Sequence, residues 1–170
     1  GNDSSRCGVC MLTVLCVCTG DKYDQDRVYA LKRMVNKNLS GILAFRCLTE
    51  KTIHGVQCVK PDVLYRSWWD KISLFKYAHG ENIYFDLDTV ITGNIDYLKE
   101  YTKYDLAAPA NWGQSGHGGI QSSVMCWNGH RKPYELFNDS VMNRLHGHQC
   151  FLTEIYGDNY ARIPKIYSYK

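Results

Sequence analysis

The chain has 170 residues, 45% hydrophobic and 22% charged, with a formal net charge of +3. That is about one domain's worth of chain, long enough to bury a core, in the proportions of an ordinary globular protein. No dense Lys/Arg block appears, so the positive excess fits an anionic substrate rather than nucleic acid, and no apolar run approaches the roughly 18 residues of a membrane span.

Residues 1–10 read as a polar tail ahead of a single domain over 11–170. The apolar run that follows lacks the basic flank and small-residue cleavage site of a signal peptide, which predicts a soluble, unexported, cytoplasmic chain. Residues 12–18 (LTVLCVC) form a continuous apolar stretch ending at Thr19-Gly20-Asp21, the pattern of a buried parallel strand entering a loop. Val28, Leu31, Val35 and Leu39 then share one helical face, with Asp24 as N-cap and Gly41 just past the end. A second strand is expected over 42–47, followed by the polar stretch 49–52.

Trp68, Ile72 and Phe75 predict a second helix ending near Gly80. Residues 83–85 make a short strand that runs straight into Asp86-Leu87-Asp88. Further strands are expected at 106–108 and 120–127. Pro133 suits the first turn of a helix with Phe137, Val141 and Leu145 on its face. Strands alternating with helices predict an α/β fold, a three-layer sandwich with a mostly parallel central sheet. Ligands collect at the carboxyl ends of such strands, where the loop 19–23, the stretch 49–52 and the aspartates all fall.

The eight cysteines admit two readings. Cys7, Cys10, Cys16 and Cys18 are enough thiolates for zinc, yet Cys16 and Cys18 lie two apart in an apolar strand and so share one face as small buried thiols. Thirteen tyrosines and four tryptophans are generous; they line sugar and base pockets and serve equally well as core.

Asp86 and Asp88 carry the chemistry. Two carboxylates at i and i+2 after a strand project to one side, and two hard oxygen donors suit Mg²⁺ or Mn²⁺, which keep other positions for water and phosphate. The segment YFDLDTVITGNID from Tyr84 to Asp96 resembles the D-x-D region of glycosyltransferases of the A-type nucleotide-sugar fold, which is Rossmann-like. The likeness is to family-8-like enzymes and the compact transferases of bacteria and large viruses. It extends upstream to the WWDKISLF stretch from Trp68 to Phe75 and to VCTGDKY from Val17 to Tyr23, and downstream to GIQSSVM from Gly119 to Met125.

The resemblance implies transfer of a hexose-type sugar from a nucleotide diphosphate donor, UDP-linked, to an acceptor that the motifs do not specify. It implies that Asp86 and Asp88 hold Mn²⁺ or Mg²⁺, with Asp86 also at the ribose and Leu87 between them at the donor. Cys18, Thr19 and Tyr23 would meet the nucleoside, and Lys71, Gln121, Ser122 and Ser123 the diphosphate or donor sugar. His148-Gln149 stands where the family often has Asp-Gln. A further histidine ligand is common near the family's C-terminus, and residues 166–170 resemble the approach to it, so the chain reads as truncated there. His117 lies in a glycine-rich loop suited to closing over substrate, and Asn111-Trp112 suit the floor of an acceptor pocket. His130 and His146 read as solvent-facing.

Two rivals remain. An apolar strand followed by D-x-D-x-T also matches haloacid-dehalogenase-type phosphatases, in which Asp86 would be nucleophile and Asp88 general acid–base. That motif needs a later lysine and a second acidic cluster, for which only Gly157-Asp158 offers itself. The other rival is a nucleotide-sugar-binding domain without catalysis.

Overall fold

The computed structural model describes residues 12–41, 44–62, 67–77, 79–110, 120, 122–129, 132–145, 148–157 and 159–164, without the side chains of 67, 68 and 148–150. The strands are β1 (Leu12–Val17), β2 (Ala44–Leu48), β3 (Gln57–Val59), β4 (Glu81–Phe85), β5 (Ala107–Ala108), β6 (Val124–Asn128) and β7 (Ala161–Arg162). The helices are α1 (Gln25–Asn38), α2 (Leu74–Tyr77), α3 (Lys132–Leu136), α4 (Asp139–Arg144) and α5 (His148–Tyr156), with 3-10 segments at Ser67–Ser73 and Asp96–Tyr101.

The strands form one sheet in the order β3-β2-β1-β4-β6-β5-β7. Pairing is parallel for β3 with β2, β2 with β1, β1 with β4 and β5 with β7, and antiparallel where β6 meets β4 and β5. The fold is therefore α/β with a mostly parallel sheet, as the element order predicts.

Both faces of the central strands are covered, which is why β1 reads as a continuous apolar run instead of alternating. Leu12, Val14 and Cys16 pack with Val28, Leu31 and Val35 of α1, and with Ile83 and Phe85 of β4. Leu15, Tyr84, Met125 and Trp127 face the other way, onto Leu74 and Phe75 of α2 and Leu152 and Tyr156 of α5. The sheet is thus the middle layer of three. Phe75 stacks on Trp127 with ring centroids 4.7 Å apart.

Helix α1 follows its pattern closely. The Asp24 carboxylate accepts from the Asp26 amide at 3.0 Å, and Gly41 just past the helix has φ 73°, a left-handed conformation that glycine adopts without strain.

Elsewhere the chain departs from its periodicity. The expected helix around Trp68 to Phe75 is a 3-10 segment followed by one α turn. Three residues per turn set Trp69, Ile72 and Phe75 in one row, and every residue from Trp69 to Phe75 is buried. The helix expected after Pro133 is two, because the Asn138 side chain accepts from the Val141 amide at 3.0 Å and caps α4 afresh. Phe137, Val141 and Leu145 nonetheless pack together against Trp69, so the apolar spacing survives the break. Strand β6 starts at Val124; Ile120, expected within it, makes an isolated bridge to Ala110. Strand β3 was not expected, its three residues being too few for a period to show. Among the described residues no helix is long and apolar enough to cross a membrane.

Candidate active site at the switch point of the sheet

From β1 the chain moves outward through β2 and β3, then returns to place β4 on the opposite side of β1. The order of strands reverses between β1 and β4, and open α/β sheets bind ligands in the crevice at the carboxyl ends of the strands at such a point. Four stretches meet on this rim: 18–20 after β1, 49–51 after β2, 86–88 after β4, and Ser122 and Ser123, which enter the antiparallel β6.

Asp86 sits where β4 ends. Its amide donates to the Ser123 carbonyl at 2.9 Å, and its carbonyl accepts from the Thr89 amide at 3.0 Å, closing a turn around Leu87 and Asp88. Leu87 points into the core beside Phe85, so its side chain is an anchor; any donor contact from it comes through the backbone. The Asp86 carboxylate is held from two sides. Oδ1 accepts from the Tyr84 hydroxyl at 2.6 Å and pairs with Lys71 Nζ at 2.5 Å. Burial, then the Asp86 charge beside it, pushes the Tyr84 phenol well above its ordinary range, so it stays a donor.

Lys71 is 8% exposed and comes from the 3-10 segment. Besides Asp86 it reaches the Ser122 carbonyl at 3.4 Å, and its ammonium lies 5.0 Å from the centre of the Tyr84 ring. Lys71 thus lies beside the Ser122–Ser123 segment, through the Ser122 main-chain carbonyl. The Ser122 side chain is itself buried.

Across the crevice, Tyr23 extends its hydroxyl to Asp88 Oδ2 at 3.4 Å, and its ring is flanked by Lys22 and Arg27. Gly20, at φ 70°, lets the β1 loop fold back: its amide donates to Glu50 at 3.0 Å, and its carbonyl accepts from Lys51 at 2.7 Å. Cys18 is buried, and its amide is committed to the Leu48 carbonyl at 2.9 Å, so the sheet and not a ligand takes that donor. Burial, then the nearby Cys47 thiol, raises the pKa of Cys18; the Cys47 contact, then burial, raises that of Cys16. These are protonated core thiols rather than nucleophiles.

The sequence places the stretch 49–52, with Glu50 and Lys51, on the rim but does not single out Asp70. Asp70 falls off the helical face defined by Trp68, Ile72 and Phe75, and so reads as a solvent residue. Its carboxylate is 3% exposed and accepts from the Thr19 hydroxyl at 2.5 Å. Gln121, His117, Asn111, Trp112, His130, His146, Cys7, Cys10, Asp158 and residues 166–170 lie outside the described residues, as does the His148 side chain.

The donor set fits a divalent cation. Two carboxylates, Asp86 and Asp88, flank one turn at the rim. Among the described residues no cluster of three or more His, Cys, Asp or Glu is placed to hold a metal. A two-carboxylate site leaves most positions to water and phosphate oxygens, the usual arrangement for Mg²⁺ with a nucleotide.

No family model and no curated protein matches the chain. Solved structures do match its fold. The crystal structure of the glycosyltransferase GlyE of Streptococcus pneumoniae TIGR4 is similar at TM-score 0.68 and 15% identity, over 91% of this chain and 45% of that one. The apo form of GlyE is similar at TM-score 0.66 and 15% identity, over 90% and 45%. The fold is thus the α/β fold seen in a glycosyltransferase, and the chain spans less than half the length of those structures.

Proposed function

We propose that the protein transfers a hexose-type sugar from a nucleotide diphosphate donor, UDP-linked, to an acceptor, with Asp86 and Asp88 holding Mn²⁺ or Mg²⁺. One observation carries the reading. The two carboxylates stand at the switch point of a glycosyltransferase-like sheet with the Lys71 ammonium 2.5 Å from Asp86. That lysine precedes the aspartates in the chain, whereas the dehalogenase-type motif draws its lysine from later.

In this reading Tyr23 and Thr19 receive the nucleoside, and Lys71 stands beside the diphosphate as a second positive charge, stabilising negative charge on the leaving group. Tyr84 and Lys71 hold the Asp86 carboxylate in place. The cation would supply charge neutralisation at the diphosphate, which makes it a better leaving group. Ser122 and Ser123 form the wall beside Lys71. The transition state of glycosyl transfer resembles an oxocarbenium ion, so a rim of fixed charges does much of the work.

The test is calorimetric titration with UDP, UDP-glucose and GDP-sugars, with Mn²⁺ and again with EDTA. The expected result is binding of a uridine diphosphate that EDTA abolishes. No binding with Mn²⁺ present overturns the reading. Metal-dependent binding without turnover leaves the site and makes the protein a nucleotide-sugar-binding domain.

A further inference from the structure

We propose that Asp70 is a positioning residue of the nucleotide site, fixing the Thr19 hydroxyl as a hydrogen-bond acceptor toward the bound nucleoside. The inference rests on the nucleotide-donor reading above and assigns the recognition of its uridine half.

The argument starts from burial. A carboxylate 3% exposed must be hydrogen-bonded to be tolerated, and Asp70 accepts from Thr19 Oγ1 at 2.5 Å. The Thr19 hydroxyl is the donor in this contact. A hydroxyl carries one proton and two lone pairs. With its proton committed to Asp70, Thr19 meets any ligand only as an acceptor. Thr19 is half-buried, one residue from the amide that completes the β1 ladder, at the rim where β1 and β4 diverge. The groups that complement an acceptor there are ligand N–H and O–H donors: a pyrimidine imide or a ribose hydroxyl.

The neighbouring residue sharpens the assignment. A 3-10 segment turns about 120° per residue, so Asp70 and Lys71 point in different directions from one short element. Asp70 reaches the loop after β1 and Lys71 reaches the carboxylate after β4. One buried turn thus serves the two ends of a nucleotide: the nucleoside through Asp70 and Thr19, the phosphates through Lys71 and Asp86.

The two halves are separable by experiment. The full chain is titrated with UMP and with UDP, both with Mn²⁺, as wild type, Thr19→Val, Thr19→Ser, Asp70→Leu, Lys71→Met and the Thr19→Val/Asp70→Leu double variant. Thr19→Val and Asp70→Leu should each weaken UMP and UDP by the same factor, about tenfold, the size of one hydrogen bond to a ligand. The double variant should lose no more than either single one, because the two side chains act as a unit. Thr19→Ser should bind like wild type. Lys71→Met should cost UDP more than UMP.

A purely structural tie predicts instead that Thr19→Val and Asp70→Leu lower the thermal midpoint while the folded protein binds UMP normally. That outcome overturns the proposal, and so do losses that grow with the number of phosphates. If Asp70→Leu does not fold, the Thr19→Val and Thr19→Ser pair decides: wild-type affinity in Thr19→Val overturns the proposal. Wild-type protein that binds neither nucleotide overturns the donor reading itself, a result distinct from a variant that matches a binding wild type.

Discussion

Two helical connectors lead from one parallel strand of this sheet to the next in the chain, and they are built on opposite principles. Helix α1, between β1 and β2, buries Val28, Leu31 and Val35 and gives its remaining faces to water. The 3-10 segment Ser67–Ser73, between β3 and β4, is buried from Trp69 onward, and Asp70, Lys71 and Ser73 go inside with the apolar residues. A polar group on a solvent face costs nothing to leave unpaired. One inside must find a partner. Among the partners that Asp70 and Lys71 find are Thr19 and Asp86, both on the rim at the carboxyl ends of β1 and β4. The amphipathic connector holds the fold, whereas the buried one ties together the two loops of the site.

That contrast can be broken at four points. The largest effect belongs to the rim. Asp88→Ala should lower sugar transfer by at least about a thousandfold while circular dichroism and the thermal midpoint stay near wild type; retained turnover would remove Asp88 from the metal site. Next is the core face of α1. Leu31→Ala should cost about 3 kcal/mol of stability in urea unfolding, yet leave UDP affinity of the folded protein unchanged. A matching drop in affinity would mean that α1 also shapes the site.

Third comes the buried connector, for which the reverse pattern is expected. Lys71→Met should weaken Mn²⁺-dependent UDP binding about tenfold, equivalent to roughly 1.4 kcal/mol, as read by calorimetry against UMP. Equal losses for UMP and UDP would detach Lys71 from the phosphates. The smallest is the helix cap: Asp24→Ala should cost about 1 kcal/mol, seen as a shift in the urea midpoint with no change in slope. No shift would mean that the cap is redundant with the packing of Val28 and Leu31.

Tyr84 shows how the site borrows from the core. Its ring lies in the second apolar cluster, and its hydroxyl reaches Asp86 two residues on, because residues i and i+2 of a strand share a face. Beyond the strand, the turn sends Leu87 into the first cluster and leaves Asp86 and Asp88 half-buried on the rim. Asp86 thus continues the face of β4, the turn closed by the Thr89 amide carries Asp88, and the buried Leu87 anchors that turn between them.

Much of this was legible in the chain. The buried strands β1 and β4, the face and caps of α1, and the position of Asp86 and Asp88 after a strand all follow from local pattern, since apolar period and capping chemistry act over a few residues. Phe137, Val141 and Leu145 show the limit. Their spacing foretold correctly that they pack together, but the Asn138 cap turned one expected helix into two.

What local pattern determined about this protein is its class of fold, its principal strands and the two carboxylates of the rim. Tertiary structure alone decided that β6 runs antiparallel and brings the Ser122 and Ser123 carbonyls to Lys71 and Asp86, and that Asp70 turns inward to Thr19. The reason is physical. A helical wheel assumes 3.6 residues per turn and one solvent face, and both assumptions fail where a segment is buried on every side and winds at three.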